Sequence, residues 1–239
     1  MILQNFVVLE GGDGTGTSTQ LQILQKRLSG EGSAPTYLRQ GAKSGDLNTA
    51  WHIPGEGAFP QQVRLPKTHF TFEPTDGPIG RLIRQALHRS PALHPTTIAH
   101  LFAADRHEHL YGESGIAERC QRGELVICDR YVPSSLVYQG LSCGDDTPAF
   151  LNSRFPYPEL ILFFELDPEI AEQRYRKRDT QDMFEHLAFQ KRVHEAYERI
   201  LPDYCAHGTT LVRIDASYSI EEVAEQVWRA LQNLPIFKG

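Results

Sequence analysis

Glu10-Gly11-Gly12-Asp13-Gly14-Thr15-Gly16-Thr17-Ser18-Thr19-Gln20 follows an apolar run, Phe6-Val7-Val8-Leu9, and precedes an amphipathic one. A strand that turns into a helix through a glycine-rich loop is expected there. In that setting the pattern G-x-x-x-x-G-K-[ST] cradles phosphate. Gly11, Gly16 and Ser18 fall on the pattern, and its lysine position holds Thr17. The glycines let backbone N–H groups converge on anionic oxygens, and the new helix points its positive end at them. Gly11, Gly14, Thr15, Gly16, Thr17, Ser18 and Thr19 are the expected phosphate contacts, with the Ser18 hydroxyl available to Mg²⁺. The ammonium that would reach the outer phosphates is missing. Lys26 cannot replace it, because nine residues of helix carry it roughly 13 Å away at ~1.5 Å per residue. A glycine-rich turn with no ligand is the plain alternative for this loop taken alone.

Outward from the loop, short apolar runs continue at His69–Phe72, Leu125–Cys128, Leu160–Leu166 and Thr210–Ile214. They are mostly continuous rather than alternating, as strands covered on both faces should be. Helical patterns lie between them. Leu21, Leu24 and Leu28 share a face, with Gly30 as a stop, and Ile98, Leu101, Phe102 and Ala103 anchor a long helix. Asp167-Pro168 offers an N-cap and a first-turn proline. Phe189, Val193, Tyr197 and Ile200 repeat at helical spacing, and Ser219 with Glu222 forms a capping box before Val223, Val227 and Leu231. Strands alternating with helices predict an α/β fold, a three-layer sandwich of the P-loop NTPase type around a five-stranded parallel sheet. One domain spans residues 1–239. The stretch from Ser33 to Lys67, with Pro35, Gly41, Gly45, Pro54, Gly55, Gly57, Pro60 and Pro66, is an insertion between the first helix and the second strand.

The 239 residues are 40% hydrophobic and 23% charged, an ordinary globular mixture. A net charge of −6 argues against a general nucleic-acid binder. Cys120, Cys128, Cys143 and Cys205 have no metal-ligand spacing, so reduced thiols are expected. The first strand begins almost at once, leaving no room for a signal peptide, and no apolar stretch is long enough to span a bilayer. A cytoplasmic location without membrane association is expected.

In an open parallel sheet, ligands sit beyond the carboxyl ends of the strands, where strand order reverses. Thr71-Phe72-Glu73-Pro74-Thr75 leaves the second strand. Cys128-Asp129-Arg130-Tyr131 leaves the third and continues through Ser134-Ser135 to Tyr138-Gln139-Gly140. Phe102-Ala103-Ala104-Asp105-Arg106 lies on the helix between them, with Phe102 and Arg106 one turn apart. At these residues the chain resembles the thymidylate kinase family. The matching pieces are Glu10-Gly11-x-Asp13-Gly14-x-Gly16, Glu73-Pro74, Leu101-Phe102-Ala103-Ala104-Asp105-Arg106, Asp129-Arg130-Tyr131-x-x-Ser134-Ser135-x-x-Tyr138-Gln139-Gly140, Leu166-Asp167 and Ile214-Asp215-Ala216-Ser217. They follow the family's order and cover nearly the whole chain outside the insertion.

The resemblance implies transfer of the γ-phosphoryl group of ATP to dTMP, with Mg²⁺. Asp13 would hold the sugar 3′-hydroxyl or an Mg²⁺-bound water. Phe102 would stack on thymine and Arg106 would bond the base edge or its surroundings. Asp129 would assist Mg²⁺, and Arg130 would bridge acceptor and donor phosphates. Glu73, Pro74, Ser135, Tyr138 and Gln139 would complete the dTMP pocket. A lid over ATP is implied at about 174–185. Arg176 and Lys177 fit a solvated face, whereas Arg174 and Arg178, one turn apart, are its catalytic candidates. The family carries an extra arginine in either the loop or the lid, and the loop position here is Gly14. The helix from Pro95 to Tyr111 has apolar residues to spare, and the resemblance implies a homodimer paired there. Three departures stand out. Phe72 replaces an arginine, Asp182-Met183-Phe184-Glu185 lacks the lid's usual arginine, and Thr17 replaces the loop lysine. Two alternatives stay open: a member that binds nucleotide without useful turnover, and a kinase for another deoxynucleoside monophosphate.

Overall fold

The computed structural model describes residues 1–29, 65–88, 91–175 and 183–238. Its first strand, β1 (Ile2–Gly11), is buried from Phe6 onward. The loop after it enters α1 (Thr17–Ser29). Then follow β2 (Thr68–Phe72), α2 (Pro78–Leu87), α3 (Pro95–Tyr111), α4 (Ile116–Gln121) and β3 (Leu125–Asp129). The second half contains α5 (Val132–Cys143), α6 (Asp146–Asn152), β4 (Tyr157–Glu165), α7 (Pro168–Tyr175), α8 (Met183–Ala206), β5 (Thr210–Asp215) and α9 (Ile220–Gln232). All four strand pairings are parallel, in the order β2-β3-β1-β4-β5. The five expected strands therefore form one α/β sheet, each within a few residues of its expected bounds.

Alternation along β1 divides the core. Val7 and Leu9 face one side with Ile127, Leu162 and Phe164, covered by Leu21, Leu24 and Leu28 of α1 and by Val223, Val227 and Leu231 of α9. Phe6 and Val8 face the other with Val126, Cys128, Ile161 and Phe163, covered by Leu110, Ile116, Val193, Tyr197 and Leu201. Each such side chain contributes roughly 1.5–3 kcal/mol when fully buried. Helices on both faces explain why the strands read as continuous apolar runs.

Local signals act where the sequence puts them. Ser219 and Glu222 close the capping box of α9, and the Asp167 carboxylate accepts from Glu169 N–H at 2.7 Å at the start of α7. One expectation shifts on α3. Its buried face is Ala99, Ala103, Asp105, Arg106 and Leu110, while Ile98, Leu101 and Phe102 are only half-buried. Gly80 lets α2 pack on the turn after β2. A Cβ there would lie 1.9 Å from the Thr75 carbonyl oxygen. Gly30, residues 33–64 of the insertion, Arg176, Lys177 and Arg178 lie outside the described residues.

Candidate active site

β1 sits between β3 and β4, so strand order reverses beside its carboxyl end. There the chain turns through Gly14 and Gly16, at φ +82° and +94°. Both lie in the left-handed region that glycine enters without steric cost. Gly11 is required for a different reason: a Cβ would meet Thr15 Oγ1 at 2.7 Å and the Phe164 carbonyl at 2.8 Å. The Thr15 hydroxyl donates to the Gly12 carbonyl at 2.9 Å, bracing the turn. Thr17 is buried at the first position of α1, and Thr19 is exposed. Ser18 Oγ lies 2.5 Å from Asp129 Oδ2. That hydroxyl and carboxylate are hard oxygen donors at a helix N-terminus and a strand end, and they fit Mg²⁺.

Asp13 and Arg130 meet in front of this loop. Arg130 Nη2 donates to Asp13 Oδ1 at 2.9 Å, and Nη1 to the Gly11 carbonyl at 3.1 Å and Ser134 Oγ at 3.3 Å. The guanidinium lies 5.3 Å from the Tyr138 ring centre, and Tyr138 OH donates to Asp13 Oδ1 at 3.1 Å. Burial pushes the Tyr138 phenol upward, so it stays a donor. On the far side, Gln190 of α8 accepts from Asp13 N–H at 3.2 Å and donates to Oδ2 at 3.1 Å. Sequence reasoning missed Gln190. Its place one residue after Phe189 in an apolar period gave no sign that α8 turns it toward the loop.

A second group lies around Arg106, which is 1% exposed. Nε donates to Glu73 Oε2 at 2.9 Å, Nη2 to the Tyr131 carbonyl at 3.2 Å and Ser135 Oγ at 2.9 Å, and Nη1 to Asn152 Oδ1. His109 Nδ1 stands 3.2 Å from Glu73 Oε1. Thus Glu73, Arg106 and Ser135 form one buried cluster, with Asn152 and His109 as partners the sequence did not announce. Asp105, also buried, accepts from Thr75 N–H and Oγ1 at 2.7 and 2.6 Å and so fixes the turn carrying Pro74. Gln139 is buried, and its Oε1 has no hydrogen-bond partner among the described residues. Phe102 stands half-buried on the same helix as Arg106. Arg174 falls in the last turn of α7.

Beneath both groups lies Glu10, fully buried. Burial pushes its carboxyl up to about 7, against the Ser134 hydroxyl, the Arg130 charge, the Tyr197 hydroxyl and the Tyr131 N–H, which all favour the anion. The position holds a glutamate inside an apolar strand, and that polar interruption was the signal available in the sequence.

Comparison with known proteins agrees with the motifs. The family profile described as thymidylate kinase matches residues 59–227. A protein of Treponema pallidum named "Putative thymidylate kinase" is 37% identical over 235 residues, 97% of this chain and 96% of its own. One of Pyrobaculum aerophilum named "Probable thymidylate kinase" is 33% identical over 98% of this chain and 99% of its own. The "Thymidylate kinase" of Synechococcus sp. (strain JA-3-3Ab) is 31% identical over 95% of each chain.

Two stability experiments follow from the buried charges. Arg106→Ala leaves Glu73 without its main partner and is expected to cost roughly 3–5 kcal/mol in urea unfolding. A loss below about 1 kcal/mol would show that His109 alone satisfies the carboxylate. For Glu10, folding raises the pKa from 4.5 to about 7. Its stabilising contribution is complete below the lower value and lost as pH rises through the upper one. Wild type minus Glu10→Gln should therefore change by on the order of 3 kcal/mol between pH 4 and pH 8. A constant difference would mean that Glu10 does not titrate in this window.

Proposed function

We propose that this chain, which belongs to the thymidylate kinase family, transfers the γ-phosphoryl group of ATP to the phosphate of dTMP, giving dTDP and ADP. The observation that carries the proposal is the meeting of Asp13, Arg130 and Tyr138 in front of a glycine-rich loop, beside a buried Glu73–Arg106–Ser135 cluster. Transfer between two phosphates needs alignment and charge neutralisation more than covalent chemistry. The backbone amides of Gly14, Thr15 and Gly16 and the N-terminus of α1 would take the donor phosphates. Arg130 would swing from its Asp13 and Gly11 contacts to bridge donor and acceptor. Asp13 would bind the acceptor sugar, held in place by Gln190. Phe102 would stack on the base, with Arg106, Ser135, Tyr138 and Gln139 closing around the nucleoside and Glu73-Pro74 forming its floor.

Ser18 and Asp129 would hold Mg²⁺, which when bound neutralises charge on the phosphate oxygens. Arg106, 1% exposed and pinned on several sides, would act as a fixed support beneath the pocket rather than as a group that moves. We further propose a single cytoplasmic domain with a lid at 174–185 carrying Arg174 and Arg178, assembled as a homodimer through α3. Among the described residues no helix is long and apolar enough to cross a membrane.

Substrate choice is tested by calorimetry. dTMP is expected to bind more tightly than dCMP, dGMP or dAMP, and equal affinities would remove the thymine-site assignment. Catalysis is tested at Thr17. A positioned cation on developing charge is typically worth ~10²–10³ in turnover. With partial compensation by the lid arginines, wild type should turn over slowly. Thr17→Lys should then speed it about tenfold, and alanine at Arg174 or Arg178 should slow it. If all these proteins bind both nucleotides and none releases ADP, the binding-only alternative replaces the kinase.

A further inference from the structure

Helix α5 starts without a cap of its own. Tyr131 at its N-cap makes no side-chain capping bond, and its first turn contains no acidic residue. The acceptor comes instead from β1. Glu10 Oε1 takes the N–H groups of Tyr131 at 2.8 Å and Ser134 at 3.4 Å, and Oε2 takes the Ser134 hydroxyl at 2.6 Å. Tyr197 of α8 donates to Oε2 at 2.9 Å from the other side. A carboxylate at a helix N-terminus gains from the macrodipole and from charge-assisted bonds.

The residue just before these contacts is Arg130, at φ +70°. That left-handed backbone is disfavoured for any side chain other than glycine and persists only where its surroundings over-determine it. Here the end of β1 grips both sides of the strained residue. Leu9 takes the Arg130 N–H at 2.9 Å and Glu10 takes the next one. Ser134 Oγ, fixed by Glu10, is also a partner of Arg130 Nη1. One carboxylate therefore governs the backbone turn and a contact of the guanidinium itself.

We infer that Glu10 is a positioning residue for Arg130, capping α5 across the sheet so that the left-handed turn aims the guanidinium at the phosphate loop. The inference rests on the role proposed above for Arg130. Misplacement of a reacting or bridging group by about 1 Å can cost on the order of 10²-fold in rate. The experiment is steady-state kinetics on wild type, Glu10→Gln, Glu10→Ala and Arg130→Lys, with Glu10→Gln also placed in the Arg130→Lys background. Glu10→Gln should keep or raise the melting temperature at pH 8, since it removes a buried charge. It should lower kcat about tenfold with KM for both nucleotides within about threefold. Glu10→Ala should lower kcat about a hundredfold. In the Arg130→Lys background the Gln effect should shrink to less than about threefold, the non-additivity of residues acting as a unit. Folded Glu10 variants with kcat within about twofold of wild type, or equal losses in both backgrounds, would overturn the inference. Should the Glu10 variants not fold, Ser134→Ala supplies the same test through the shared hydroxyl. Wild-type protein without transfer activity would instead refute the kinase reading. The Arg130 Nε–H resonance, expected to shift in Glu10→Gln, then decides whether Glu10 positions that side chain.

Discussion

The parallel pairing of β1 with both β3 and β4 is the constraint on which the site depends. Parallel strands bring their carboxyl ends to one edge of the sheet, whatever their separation in sequence. Leu9 stands level with Asp129 and Leu162, so the residues just past them, Glu10 to Asp13 and Arg130 to Ser134, are delivered to the same few ångströms. An antiparallel β3 would send the Asp129-Arg130 turn to the opposite edge. The helices on both faces seal the sheet and leave that edge as the place where polar groups can gather.

Buried charge is the second theme, and it is arranged in layers. The outer layer is Asp13 with Arg130, whose side chains are 40% and 18% exposed. Below it Glu10 and the Glu73–Arg106 pair are almost fully enclosed. Such buried ions add little net stability, since desolvation offsets most of their attraction. Their value lies in precision. A guanidinium tied to Glu73, Ser135, Asn152 and the Tyr131 carbonyl has one orientation, and a helix capped by a carboxylate from another element cannot drift from it. Groups mounted on rigid elements in this way hold a fixed geometry.

The phosphate loop itself shows what a missing side chain leaves behind. Its glycines keep the turn, Thr15 braces it, and Ser18 stays in contact with Asp129. None of these depends on a lysine at position 17, where the threonine is buried at the start of α1. Loop geometry and loop charge are thus separable in this fold. Backbone amides supply the first and long side chains the second, and Arg130 enters from a different strand.

The sequence by itself determined the five strands and five of the helices, α1, α3, α7, α8 and α9, while α2, α4, α5 and α6 were not read from it. Five apolar runs of strand length, amphipathic helices between them and three capping signals suffice, because period and capping are local chemistry. It also marked most of the candidate site, since Gly11, Asp13, Ser18, Glu73, Arg106, Asp129, Arg130 and Tyr138 sit in short motifs at strand ends or on the helices beside them. Which groups are bound to which was decided only by the tertiary structure. Arg106 belongs to a sealed cluster with Asn152 and His109, Gln190 clamps Asp13 from 177 residues away, and Glu10 caps a helix 121 residues downstream. The Arg106–Asn152, Gln190–Asp13 and Glu10–Tyr131 pairings join segments distant in the chain. No local spacing encodes them, because each arises only when burial forces a polar atom to take whatever partner the packed core brings within reach.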